Sequence, residues 1–374
     1  MSRSWQDTNT GHTVRQLTDL PGGAALGYFR YAKHVPGGLL LAFGTHADGD
    51  ALLIEPESGD VTPVKGRTGV YLGLRERDGT LWHIPSGRTV AATKLPEGTC
   101  TVLGEVPADV PGGISSVTCD GETVILSEMV HDLSKTPLPR GKDAPALWRY
   151  LKRPRTGRLW AYALRTQKTT KLVESHEVCF SHVEASPVDP GLVRFCQDMY
   201  DGLGQRAWTV RTDGTELRKI RPQEPKECVT HEFWWPGGRM IGYTFQDRRN
   251  DPTLFDLPWL EYSPTPTQLG IAGLDGYEVY LSDPMNHYHS HIYVSPKGDW
   301  VCGEGTDGHC FAYAAPFTTS STRIDLKAYA SIHTPYVPFA GQGVETAFSA
   351  DSRWLLFNDT IDGVRQVCAV RLDG

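Results

Sequence analysis

Residues 236–245 read PGGRMIGYTF, a Pro-Gly-Gly turn followed by a strand-like apolar run. The same pattern recurs six more times. Pro36-Gly37-Gly38 precedes LLLAF, Asp78-Gly79 precedes TLWHI, and Asp120-Gly121 precedes ETVILSE. Asp189-Pro190-Gly191 then precedes LVRFC, Lys297-Gly298 precedes DWVCGEG, and Asp351-Ser352 precedes RWLLFND. The spacings run from about 41 to about 69 residues, the range of propeller blades that carry loop insertions. Between turns the chain stays strand-like: AWTVRTDGTELRKI (207–220) reads as strand, Asp-Gly hairpin turn, strand. Helical periodicity with caps is hard to find anywhere. The expected fold is therefore all-β, a seven-bladed β-propeller occupying 1–374 as a single domain. A closing strand from TVRQLT (13–18) is expected to pair into the last blade. Two β-sandwich domains also give many short strands, but the repeated turns favour the propeller. The polar, Pro-interrupted stretch near 130–155 (HDLSKTPLPRGKDAPALWRY) reads as an insertion or an active-face loop.

Composition narrows the function classes. The 374 residues carry 37 Lys+Arg against 44 Asp+Glu, a net charge of −7, with no clustered basic run. That balance argues against a nucleic-acid binder. No apolar run reaches the ~18 residues of a membrane span, and the opening MSRSWQD lacks the apolar stretch of a secretory signal. The eight cysteines form no CxxC pair, so buried, reduced thiols in a cytoplasmic protein are expected. There is no GxSxG or P-loop, and no GxGxxG following a strand, which counts against serine-hydrolase and nucleotide-driven chemistry.

Histidine is the residue type that stands out. Eight of the 13 histidines fall between 176 and 333, most densely in Asn286-His287-Tyr288-His289-Ser290-His291. On a regular strand, residues two apart share a face, so His287, His289 and His291 are expected to point the same way and to contact metal or substrate. Thr230-His231-Glu232-Phe233-Trp234-Trp235 sets a histidine beside a carboxylate and three aromatics. His182 follows Phe180-Ser181 ahead of a turn, and Arg206 lies in Gly204-Gln205-Arg206-Ala207-Trp208 at the start of a strand. Taken singly, each also reads as a core histidine or a surface cation.

The order of these pieces resembles the oligogalacturonate lyase family, polysaccharide lyase family 22. The segments that carry the resemblance are SHVEASPVDPGLVRFC, QRAWTVRTDGTELRKI, THEFWWPGG and SHIYVSPKGDWVCGEGTDG, with HEFW the most specific. Trp5-Gln6-Asp7, Thr10-Gly11, Gln16-Leu17-Thr18 and FSADSRWLLFND are colinear at the ends. The resemblance implies a seven-bladed propeller that cleaves the 1,4 bond of short oligogalacturonides by β-elimination and leaves a 4,5-unsaturated uronate. It places Arg206 at the family's base, His231 at its catalytic-site histidine and His291 at a metal-binding histidine. His182 joins the catalytic set, and Lys33 in GYFRYAK joins His287 and His289 as substrate contacts. Because a guanidinium is normally always protonated, His231 is the competing base, with Arg206 then clamping the substrate carboxylate.

One departure concerns the metal. The family carries a Gln and then an H-P-H-P stretch before its last blade turn, and these ligate manganese. Here the region is AGQGVETAF (340–348), without histidine. Gln342 is the candidate for the Gln role and Glu345 for a lost histidine, since oxygen ligands suit Mn²⁺ or a similar divalent cation. The expected partner is an acidic oligosaccharide, with no nucleic acid and no membrane, acting on a monomer or homodimer. A lyase for another uronate linkage, such as rhamnosyl-glucuronate, without the standard metal, and a non-catalytic TolB-like binding propeller are the competing readings.

Overall fold

The computed structural model describes residues 3–45, 50–66, 68–129, 156–197, 204–250, 265–286, 288–305, 311–333 and 343–372. Every regular element among them is a β-strand, and no helix is long and apolar enough to cross a membrane. The strands form seven antiparallel sheets of four or five strands that follow one another along the chain, a seven-bladed β-propeller.

Each of the seven turns read from the sequence joins two consecutive strands that pair with each other in one sheet. Pro236-Gly237-Gly238, for example, links Glu227–Trp234 to Met240–Asp247 in sheet five, and Lys297-Gly298 links His289–Val294 to Trp300–Gly305 in sheet six. The turns need left-handed backbone, which glycine adopts without a Cβ clash. Gly79 has φ +68, and a Cβ there would meet the Leu95 carbonyl oxygen at 2.4 Å. Ser352 takes the equivalent role at φ 62 without being glycine. The predicted hairpin is present as Ala207–Arg211 and Arg218–Lys219, paired Trp208↔Lys219 and Thr209↔Arg218.

The chain gathers into two compact units: Met1–Val102 with Pro266–Leu269 and Leu281–Gly374, and Leu103–Thr265 with Gly270–Tyr280. In the first unit the expected closing strand forms. Thr13–Gln16 pairs with Val364–Arg371 through Val14↔Val370, Arg15↔Ala369 and Gln16↔Cys368. Thr18 Oγ1 reinforces the seam by donating to Gln366 Oε1 at 2.8 Å. Val14 is buried with Phe348, Leu355, Phe357 and Val370, whose apolar surface supplies the driving force for the pairing. In the second unit, Ile125 and Leu159 of sheet three pack on Phe180, Val193 and Phe195 of sheet four.

Candidate functional site

The sequence-predicted histidines share one backbone device. In five of the seven sheets the first strand carries one extra residue relative to its neighbour, a β-bulge. In sheet four, Ser181 pairs with Cys196 and Glu184 with Arg194, so His182 and Val183 together face Phe195. In sheet five, Thr230 pairs with Thr244 and Phe233 with Gly242, leaving His231 and Glu232 opposite Tyr243. In sheet six, His289 pairs with Gly305 and Ile292 with Gly303, which brings His291 opposite Glu304. A bulge re-aims a side chain and breaks the two-residue alternation. His182 (φ 52) and His231 (φ 53) also take the left-handed conformation, which costs a non-glycine residue ~1–2 kcal/mol. Strain of that kind persists where surrounding structure enforces it and concentrates at functional sites.

The second unit assembles one group from three of the sequence motifs. Arg206, at the head of its strand and 8% exposed, donates from Nε to Glu232 Oε1 at 3.1 Å. Its backbone N–H donates to Gln223 Oε1 at 2.7 Å. The other oxygen of Glu232 accepts from Cys196 Sγ at 2.9 Å. Ligating atoms of His182, Cys196 and Glu232 lie within 4.8 Å of one another. This trio is already engaged within the protein, the Cys196 thiol donating to one oxygen of Glu232 and Arg206 to the other. Burial, reinforced by the Glu232 charge, pushes the Cys196 thiol far above its ordinary value, and the carboxylate is already paired with a guanidinium. The group is a fixed cation in a cluster with the strained His182, and the strained His231 precedes Glu232 in the chain.

The first unit holds a different cluster. Ligating atoms of His291, Glu304 and Glu345 lie within 4.8 Å of one another, and all three residues are buried. His291 Nδ1 meets Glu304 Oε2 at 3.0 Å, and its ring stacks on Phe29 with centroids 4.5 Å apart. Glu304 Oε1 accepts the Thr346 N–H at 3.1 Å, and Glu345 Oε2 accepts the Phe29 N–H at 2.5 Å. Burial, reinforced by the Glu304 charge, pushes the Glu345 carboxyl up against the opposing pull of His291. Although burial disfavours a charged imidazole, Glu304 and then Glu345 hold the His291 value above its ordinary one. Two crowded carboxylates and an imidazole make a donor set that fits an oxygen-preferring divalent cation such as Mn²⁺.

The remaining expectations divide. Gln342 and His287 lie outside the described residues, as do the 130–155 stretch and Cys310. Lys33 is only 3% exposed, and its ammonium donates to the carbonyls of Tyr28 (3.0 Å), Phe29 (2.7 Å) and Tyr31 (3.0 Å), tying down the GYFRY loop beside Glu345. His289 and His291 do not share surroundings as simple alternation predicts, because the bulge falls between them. His289 is buried against Gly303 and stands edge-on to Tyr313 at 5.0 Å, whereas His291 lies on Phe29 and Glu304. Two residues of these clusters, Glu304 and Glu232, were assigned no role from the sequence. Glu304 was detectable by hairpin arithmetic, since it and His291 lie at nearly equal distances from Lys297-Gly298. Glu232 was visible in HEFW, but its partners were not.

Comparison with known proteins follows the same lines. The oligogalacturonate lyase family model matches residues 2–250, a span that includes Lys33, His182, Arg206 and His231 and ends before His291 and Glu345. An oligogalacturonate lyase of Dickeya dadantii is 26% identical over 246 residues, 64% of this chain and 62% of that protein. An oligogalacturonide lyase of Pectobacterium atrosepticum gives the same identity and coverage. The matched segment thus spans less than two thirds of these relatives' length. A solved oligogalacturonate lyase in complex with manganese is similar in structure at TM-score 0.75 and 21% identity, covering 100% of this chain and 96% of that one. The oligogalacturonate lyase of Vibrio parahaemolyticus gives TM-score 0.75 at 19% identity, with coverage of 100% and 97%. At these identities the structural likeness establishes the fold. With two thirds of its length matched by the family model, the chain belongs to the oligogalacturonate lyase family.

Proposed function

We propose that this protein is a lyase that cleaves uronic-acid oligosaccharides by β-elimination, oligogalacturonides first, and releases a product with a 4,5-unsaturated uronate. The C5 proton of a uronate lies α to a carboxylate, so its removal builds negative charge that a fixed cation must stabilise while a base faces C5. The observation that carries the reading is the pairing of Arg206 with buried Glu232 in a cluster with His182, with His231 preceding Glu232 on the same bulged strand. A guanidinium held by a buried carboxylate is stabilised as a cation, which suits it to clamp the substrate carboxylate and leaves the base role to His231. His231 takes the C5 proton, its electron pair forms the C4=C5 bond, the C4–O bond breaks, and the departing oxygen takes a proton, with His182 as the group at hand to supply it. His291, Glu304 and Glu345 of the first unit would hold a divalent cation of the manganese type, which would supply Lewis-acid charge for a uronate carboxylate. Lys33 and His289 then act by shaping the site around that cluster, and the protein works in the cytoplasm. The carboxylate Glu345, standing where the family has a ligand histidine, supports a second reading in which the preferred linkage is another uronate, such as rhamnosyl-glucuronate.

The test is an ultraviolet assay for unsaturated product across oligogalacturonides, rhamnosyl-glucuronate and glucuronate-rich oligosaccharides. Turnover on oligogalacturonides is expected, with Arg206→Ala and His231→Ala each lowering kcat by ~10²-fold or more. Absence of unsaturated product from every substrate in the panel overturns the proposal.

A further inference from the structure

Two conspicuous parts of the sequence signature touch no substrate in the mechanism above: the cysteine that ends LVRFC and the glutamate of HEFW. In the structure they meet. Glu232 is 1% exposed and Cys196 fully buried, and the carboxylate divides its oxygens between two donors, Oε2 to the Cys196 thiol (2.9 Å) and Oε1 to Arg206 Nε (3.1 Å). We infer that Glu232 is a positioning residue for Arg206, with Cys196 as the neutral donor that fixes which carboxylate oxygen the guanidinium receives. This rests on Arg206 being the clamp for the substrate carboxylate.

The chemistry favours such a division of labour. A buried carboxylate is costly unless its oxygens are satisfied. One cation and one neutral donor satisfy it without a second positive charge competing for it. Burial and the Glu232 charge keep the thiol protonated, so it acts as a donor and neither as a nucleophile nor as a ligand. Glu232 follows the bulged, left-handed His231 and so faces Tyr243 together with it, and a shift at this point moves both residues at once. Gripping Arg206 through Nε fixes the plane of its fork, in which Nη1 and Nη2 lie. Carboxylate recognition by arginine depends on that plane.

The experiment combines kinetics with side-chain NMR on the full chain. In ¹⁵N-arginine-labelled protein, the Arg206 Nε–H resonance, identified by its loss in Arg206→Lys, is expected to exchange slowly with solvent. It should stay slow in Cys196→Ser, which keeps a donor, and become fast in Glu232→Gln. Rapid exchange in the wild type overturns the inference and needs no variant beyond the assignment control. With oligogalacturonide as substrate, Glu232→Gln should lower kcat by ~10²-fold, the scale of losing one preorganised electrostatic contact. In an Arg206→Ala background the same change should cost less than ~3-fold, because residues that act as a unit are not additive. Cys196→Ser should stay within ~3-fold of wild type, and Cys196→Ala should fall below it. An equal loss from Glu232→Gln in both backgrounds shows a merely structural role and overturns the inference. If no uronate is turned over while the Nε–H remains slow, the lyase reading fails and the positioning contact stands.

Discussion

Replacing Glu304 by Gln tests whether the buried cluster of the first unit is a cation site. The amide keeps an oxygen for the Thr346 N–H and a donor for His291 Nδ1, so the fold has what it needs locally. What disappears is one of two carboxylates whose oxygens lie within 4.8 Å of each other and of an imidazole nitrogen. Losing a ligand should weaken the ion by at least ~100-fold, since loss of even an outer partner costs ~10–100-fold. Linkage converts this into stability. At a Mn²⁺ concentration of ~100 Kd the wild type gains about 2.7 kcal/mol, whereas a variant with Kd raised ~100-fold gains only RT ln 2, about 0.4 kcal/mol. Urea unfolding of chelator-treated protein, with and without added Mn²⁺, reads the difference, and the electron paramagnetic resonance signal of free Mn²⁺ reads the affinity directly. Equal stabilisation of variant and wild type by Mn²⁺, or none in the wild type, refutes the reasoning.

Three further outcomes follow from the packing. Val14→Ala removes two buried methyl groups at the closing seam, and should cost about 2 kcal/mol from transfer plus a small cavity; unchanged unfolding would show that the seam does not hold the sheet. Because His231 sits at φ 53, His231→Gly should be more stable than His231→Ala by about 1 kcal/mol, with both equally inactive; the opposite order of urea midpoints sinks the strain argument. A Cβ on Gly242 would stand 2.3 Å from the Phe233 ring, so Gly242→Ala should lose ~1–3 kcal/mol, and Phe233→Leu added to it should recover part of that loss if the clash is the cause.

Much of the fold was legible because its turns are written in glycine, proline and aspartate. Those residues occupy left-handed or tightly bent backbone, and Gly79, Gly121, Gly237 and Gly298 all have positive φ in the structure. The closing strand was legible because TVRQLT is strand-like around Val14 and the last blade needs a further strand. The site was legible only in its cast of residues. A one-residue bulge leaves no compositional trace, so the strand-face argument failed for His289 and His291, between which the register slips. Cross-strand partners are similarly silent in one dimension. Nothing in WVCGEG alone says that Glu304 faces His291, and nothing in HEFW alone says that Glu232 holds Arg206.

The recurring bulge has an evolutionary consequence. A regular strand is an unforgiving template: inserting a residue turns every later side chain from core to solvent. The bulge absorbs the extra residue at one point and restores the pairing beyond it, as Ile292↔Gly303 and Phe233↔Gly242 show. The part of the strand nearest the turn can therefore be conserved for packing while the part ahead of the bulge diverges. Leucine occupies that point at Leu72, serine at Ser115, and histidine at His182, His231 and His291. Duplicated copies of one scaffold can in this way acquire separate chemistries, each a local substitution that leaves the hydrophobic interior of its own sheet unchanged.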